Sequence, residues 1–201
     1  MMQVIAIHGG EAYNSYSDYI KDLKKMPVDK SDFLPKTNEK WRYNLQKELG
    51  NQYKVLVPIM PCSYNAKYKE WKIWFEKMLP FVKSGAIFVG HSLGGIFLAM
   101  YFAEKGDIKK TKGVFLIAAP FYTKSSKEHI ADFVLPNNLN KLKKLGPKLH
   151  VYHSTDDVVV SFNDFKMYRK SLSLAQSKVF KNKGHFAQKS FPELVKDIKN
   201  L

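Results

Sequence analysis

Short apolar runs, each closed by glycine, proline or charge, alternate along this chain with longer stretches whose apolar residues recur at helical spacing. The runs at 3–7, 53–57, 86–89, 113–118, 148–153 and 178–181 read as strands, most too continuously apolar to have one face in water. Between them, Trp41, Leu45 and Leu49 mark one face of a helix that Gly50 ends, and residues 68–79 form a strongly apolar helix stopped by Pro80. Further helices are expected at 96–103, over a single turn at 140–145, at 164–174 and at 191–198, the last with Ser190 as its cap and Pro192 at an early position. Strands that alternate with helices throughout predict a parallel sheet with helices on both faces. The fold class expected is therefore α/β: a three-layer α/β/α sandwich on a six-stranded, mainly parallel sheet. No repeat, low-complexity tract or linker interrupts the pattern, so residues 1–201 are expected to form one domain.

Two segments fit neither period. Residues 26–40 carry Pro27, Pro35 and many polar side chains around a single bulky apolar pair, Phe33 and Leu34. Residues 121–136 scatter Phe121, Tyr122, Phe133 and Val134 among polar positions. Both leave the C-terminal ends of strands, the edge where ligands gather in such sheets. Each is expected either to cover a site there or to pad the core, and neither is long enough for a separate lid domain.

A hydrophobic content of 45% with 14% aromatics argues for a folded core. The net charge of +15 suggests a nucleic-acid partner, but only two of the 33 basic residues, Arg42 and Arg169, are arginines. Lysines spread along helices are solvated surface, and no nucleic-acid module is visible, so specific nucleic-acid binding is not expected. The lone Cys62 cannot form an internal disulfide, which fits a reducing compartment. No basic, apolar leader precedes the first strand, and no apolar run approaches the roughly 20 residues of a membrane helix. A cytoplasmic location follows as the expectation. No cluster of histidine, cysteine and acid has metal-ligand spacing, and neither a metal nor a cofactor is expected.

The chemistry concentrates at Gly90-His91-Ser92-Leu93-Gly94, a G-x-S-x-G turn between an apolar strand and an apolar helix. That context is the one a nucleophile elbow requires, a tight strand-to-helix bend that lifts a serine hydroxyl above the sheet. A serine before a helix can instead be a simple N-cap. A nucleophilic serine needs a base, and the base needs an orienting carboxylate, which follow such an elbow in the order acid, then histidine. Of the six histidines, His150 lies within a strand, His153 precedes the acids that follow it, and His185 stands after the last strand in Gly184-His185-Phe186. His185 is the expected base. Asp156 and Asp157 directly follow the fifth strand; one should buttress His185, and the other suits a turn or cap. The backbone N–H of Leu93 and that of Gly10, or of Gly9, in the turn after the first strand are the expected oxyanion donors. His8 is expected to hold that turn. Gly9, His91, Phe121 and Phe186 are expected to border the substrate pocket, His91 also packing within the elbow.

Taken together, Gly90 to Gly95, then Ser154-Thr155-Asp156-Asp157 with Val160 three residues on, then Gly184-His185-Phe186, resemble the small single-domain serine hydrolases of the α/β-hydrolase fold, of the retinoblastoma-binding-protein-9 and YdeN type. The resemblance runs from the first strand to the last helix. It implies that the second aspartate, Asp157, is the triad acid, and that the activity is carboxylester or amide hydrolysis without a cofactor. Ser161 stands where that family often has proline, and the 26–40 connection is longer than usual. The function expected is hydrolysis of small carboxylic esters, with thioesters and amides open to the same chemistry, through an acyl-enzyme on Ser92, Asp157 and His185. The alternative is a binding or scaffold protein on the same fold with little turnover. The partner expected is a small ester or acyl substrate.

Overall fold

Six strands pair in the order β2-β1-β3-β4-β5-β6, every neighbour parallel. They are β1 (Met2–Ile7), β2 (Tyr53–Leu56), β3 (Ile87–His91), β4 (Gly113–Ile117), β5 (Leu149–Ser154) and β6 (Gln176–Phe180). The computed structural model describes residues 1–28, 40–123 and 130–201. Seven α-helices appear among them: α1 (Tyr16–Leu23), α2 (Trp41–Leu49), α3 (Tyr68–Met78), α4 (Leu93–Lys105), α5 (Asn140–Lys143), α6 (Phe162–Ser171) and α7 (Pro192–Lys199).

The period of two along the strands sorts the core into two layers. Ile5, Ile7, Phe88, Val114, Leu116 and Val151 face one way, onto α3, α4 and α6 through Trp71, Phe75, Phe97, Phe165 and Tyr168. Val4, Ala6, Ile87, Val89, Phe115, Ile117 and Tyr152 face the other, onto α2 and α7 through Trp41, Leu45, Phe191, Leu194 and Ile198. This is the α/β sandwich that the alternation of strands and helices predicts. Helix α4 is buried from Leu93 through Ala103, which explains why its sequence is apolar on all sides. None of the described helices is long and apolar enough to cross a membrane.

Several boundaries depart from expectation. β3 runs on through His91, because the chain reverses at Ser92 itself and α4 starts on the next residue. β6 occupies Gln176–Phe180, an edge strand with one neighbour and a mostly exposed, polar alternation that apolar runs do not reveal. Helix α6 starts at Phe162 because the Ser161 hydroxyl accepts the Asn163 N–H at 3.2 Å. So the serine in place of the family's proline is a helix cap. In α7 the capping position is Phe191, with Pro192 first in the helix, so Ser190 is not the cap.

The described part of 121–136 belongs to the core. Phe133 is fully buried against Trp71 and Tyr68, and Phe121 packs on Tyr168 at 4.8 Å. The Asp132 carboxylate accepts the N–H groups of Tyr68 (2.7 Å) and Lys69 (3.2 Å), capping α3, whose own N-terminal residue makes no side-chain cap. Residues 29–39, with Phe33 and Leu34, and residues 124–129, with Glu128 and His129, lie outside the described residues.

Candidate active site

Ser92 takes φ 54° and ψ −121°, a backbone conformation that costs a non-glycine residue about 1–3 kcal/mol. Its side chain makes no capping hydrogen bond to α4, so the simple N-cap reading does not describe it. The reversal is possible only without side chains on either side. A Cβ on Gly90 would sit 2.3 Å from the Gly94 carbonyl oxygen, and one on Gly94 would sit 2.5 Å from that of His8. That second approach brings the exit of β1 against the start of α4. The Cβ position of Gly9 is 3.1 Å from Ser92 Cβ, and that of Gly10 is 3.4 Å from Leu93 Cδ2. The turn expected to supply an oxyanion donor therefore abuts the elbow. Among the described residues, no acceptor holds the N–H of Gly10 or of Leu93.

His8 holds this turn. Its Nε2 accepts the Met60 N–H at 2.9 Å, so the ring proton is on Nδ1, which faces the Gly9 carbonyl at 2.5 Å. Burial lowers the His8 pKa against the opposing effect of that bond, which keeps the ring neutral.

At the ends of β5 and β6 the two remaining residues meet. His185 Nδ1 lies 2.9 Å from Oδ2 and 3.1 Å from Oδ1 of Asp157. The Asp157 side chain is fully buried, whereas that of His185 is 20% exposed. Burial alone would raise the Asp157 carboxyl. The His185 bond and the N–H groups of Val160 and Val159 outweigh it, and the group sits below its ordinary value, ionised at neutral pH. Asp156 does something else: it is exposed, accepts the Ser154 hydroxyl and the Gly184 N–H (3.0 Å), and so ties the acid loop to the loop carrying His185.

That second loop is pinned from several directions. His91 Nε2 donates to the His185 carbonyl at 2.8 Å, the two rings 4.8 Å apart. Trp41 donates its indole N–H to the Phe186 carbonyl at 3.0 Å and its backbone N–H to the Gln188 carbonyl at 2.9 Å. The Ser154 hydroxyl accepts the Lys183 N–H at 3.1 Å. Burial, with the nearby His185 ring, pushes His91 down to about 3, so it donates as a neutral imidazole. Gly9 lies beside Ser92. The bulky residues named with it are buried: His91 packs on Trp41 and donates to the His185 carbonyl, Phe121 packs on Tyr168, and Phe186 packs in the core with Phe180 and Phe191. Each is large enough that packing, not display, is its stable use.

Trp41, Ser154 and His153 escape the sequence reading. Trp41 reads as a helix-face core residue, and its indole N–H finds its acceptor 145 positions away. The signal for Ser154 is its place in S-x-D-D. For His153 the signal is a histidine at the end of a buried strand, discounted above for its order in the chain.

A strained serine at the carboxyl end of an inner parallel strand, with an imidazole–carboxylate pair two and three strands along, is the arrangement of the α/β-hydrolases. A model of the serine hydrolase family matches residues 33–195, and the chain belongs to that family. Among solved structures, the ydeN gene product from B. subtilis superposes with a TM-score of 0.73 at 16% identity, over 100% of this chain and 98% of that one. A putative YdeN-like hydrolase from Pectobacterium atrosepticum gives 0.61 at 14%, over 98% and 90%. The thioesterase domain from the curacin biosynthetic pathway gives 0.62 at 12%, over 100% and 91%. At these identities the likeness is one of fold. No curated protein sequence matches the chain.

Proposed function

We propose that this serine hydrolase cleaves small carboxylic esters, and thioesters or amides by the same route, through an acyl-enzyme on Ser92. The supporting observation is the His185–Asp157 pair, a buried ionised carboxylate 2.9 Å from Nδ1 of a partly exposed imidazole at the edge where Ser92 is displayed. A carboxylate at Nδ1 keeps the proton there and leaves Nε2 free to act as base. Nε2 takes the Ser92 hydroxyl proton as Oγ attacks the acyl carbon. The N–H groups of Leu93 and Gly10 receive the oxyanion, each worth about 3 kcal/mol of transition-state stabilisation. His185 then protonates the departing alcohol. Water, deprotonated by the same imidazole, releases the acid and restores Ser92. The neutral state of His91 places no positive charge beside the charge that develops on His185.

The substrate class proposed is a short acyl ester. Phe121, Phe133 and Leu135 are committed to the core, which favours a small site over an extended groove. Turnover of p-nitrophenyl butyrate, lost in Ser92→Ala at an unchanged thermal midpoint, is the expected result. A chain-length series should peak among the short acyl groups. Wild-type turnover in Ser92→Ala would end the nucleophile assignment, and a kcat/KM that peaks at laurate or longer would end the small-site reading. A folded protein with no turnover of any such ester would favour the scaffold alternative.

A further inference from the structure

The acid loop has an unusual problem of support. Between Asp157 and α6 the chain runs through Val158 and Val159, which are 95% and 64% exposed, so packing does little to fix the backbone that presents the carboxylate. Only Val160 turns inward. Its N–H donates to Asp157 Oδ1 at 3.0 Å, next to the Val159 N–H at 2.8 Å. Its carbonyl is taken by a buried side chain, Nε2 of His153, at 3.0 Å. A carbonyl only accepts, so Nε2 carries the ring proton, and burial lowers the pKa of this ring toward the neutral form. His153 is 1% exposed, packed beside Phe162 and Phe165 of α6, and a buried imidazole without a partner would be costly there. The same Nε2 stands 3.9 Å from Asp157 Oδ2, too far for a hydrogen bond. His153 therefore does not compete with His185 for the carboxylate. It holds the residue that holds the carboxylate.

We propose that His153 is a positioning residue for the hydrolytic reaction: by fixing the Val160 carbonyl it sets the Val159–Val160 N–H pair that aims Asp157 at His185. This rests on the Ser92–His185–Asp157 reading. Three substitutions separate donor from shape. Gln can place an amide N–H near the position of Nε2, Asn is too short to reach, and Phe keeps a ring without a donor. His153→Asn and His153→Phe should lower kcat for p-nitrophenyl butyrate by about ten- to a hundredfold, with KM within about twofold. His153→Gln should stay within about threefold of the unsubstituted chain. The second readout needs no substrate. The Nδ1 proton shared between His185 and Asp157 gives a low-field proton resonance in the whole protein, expected to persist in His153→Gln and to broaden away in His153→Asn. An unchanged kcat and resonance in His153→Asn, or a His153→Gln no better than His153→Asn, would overturn the proposal. Lack of both turnover and resonance in the unsubstituted chain would remove the site reading itself, and the role of His153 with it.

Discussion

Ser92 and His185 reach the same edge of the sheet by opposite means. The elbow is self-contained: the glycines that permit it lie two residues to either side, and the buried strand and helix it joins absorb its strain. The loop around His185 holds little of its own position. The Gly184 N–H is taken by Asp156, the His185 carbonyl by His91 and the Phe186 carbonyl by Trp41, across 28, 94 and 145 positions of chain. A site half built from local backbone and half from distant clamps should fail in two different ways. Damage to the elbow should appear mainly as lost stability, and damage to the clamps as lost stability and lost rate together.

The largest effect expected within this comparison is at the acid. Asp157→Asn should lower kcat by about 10^4, because an amide no longer enforces the Nδ1 proton on His185. Asp156→Asn keeps an oxygen for the Gly184 N–H and should cost about tenfold or less, since only the tie between two loops is weakened. Steady-state kinetics on p-nitrophenyl butyrate rank them, and the reverse order would reassign the acid to Asp156. Next in size is the elbow. Gly90→Ala puts a methyl where the Gly94 carbonyl oxygen stands, and should destabilise the fold by about 3 kcal/mol in denaturant unfolding. Unchanged stability there would mean the turn is looser than its geometry implies. The smallest is the distant clamp. Trp41→Phe leaves the Phe186 carbonyl without its indole donor, at about 1–2 kcal/mol of stability, with kcat down several-fold. Lost stability with kcat intact would make Trp41 a packing residue only.

The same contrast explains what could be read from residue order. The elbow was legible because its geometry forces small residues at fixed offsets within one pentapeptide, between two apolar runs. The parallel sheet and its two-sided core were legible because parallel strands buried on both faces need continuous apolar runs. The edge strand β6 was less so, since one neighbour and an exposed face leave it a polar sequence. The supports of His185 and Asp157 were hidden for another reason. Trp41, His91 and His153 each satisfy an ordinary helix, turn or strand pattern, and their hydrogen-bond partners become neighbours only once the sheet has formed. The core packing of Phe186 and Phe121 is hidden for the same reason: a large apolar residue next to a site motif reads as pocket wall until the opposing core is known. Asp156 and Asp157 differ by one position, and what separates them is that Asp157 is buried against backbone N–H groups while Asp156 faces solvent.

The claim on which the account turns is that Ser92 is the activated nucleophile. Treatment of the folded chain with a fluorophosphonate, followed by intact mass and peptide mapping, tests it directly. One adduct per chain is expected, on the peptide containing Ser92, absent from Ser92→Ala and from protein denatured before exposure. An adduct on a different serine, or none on the folded chain, would contradict it.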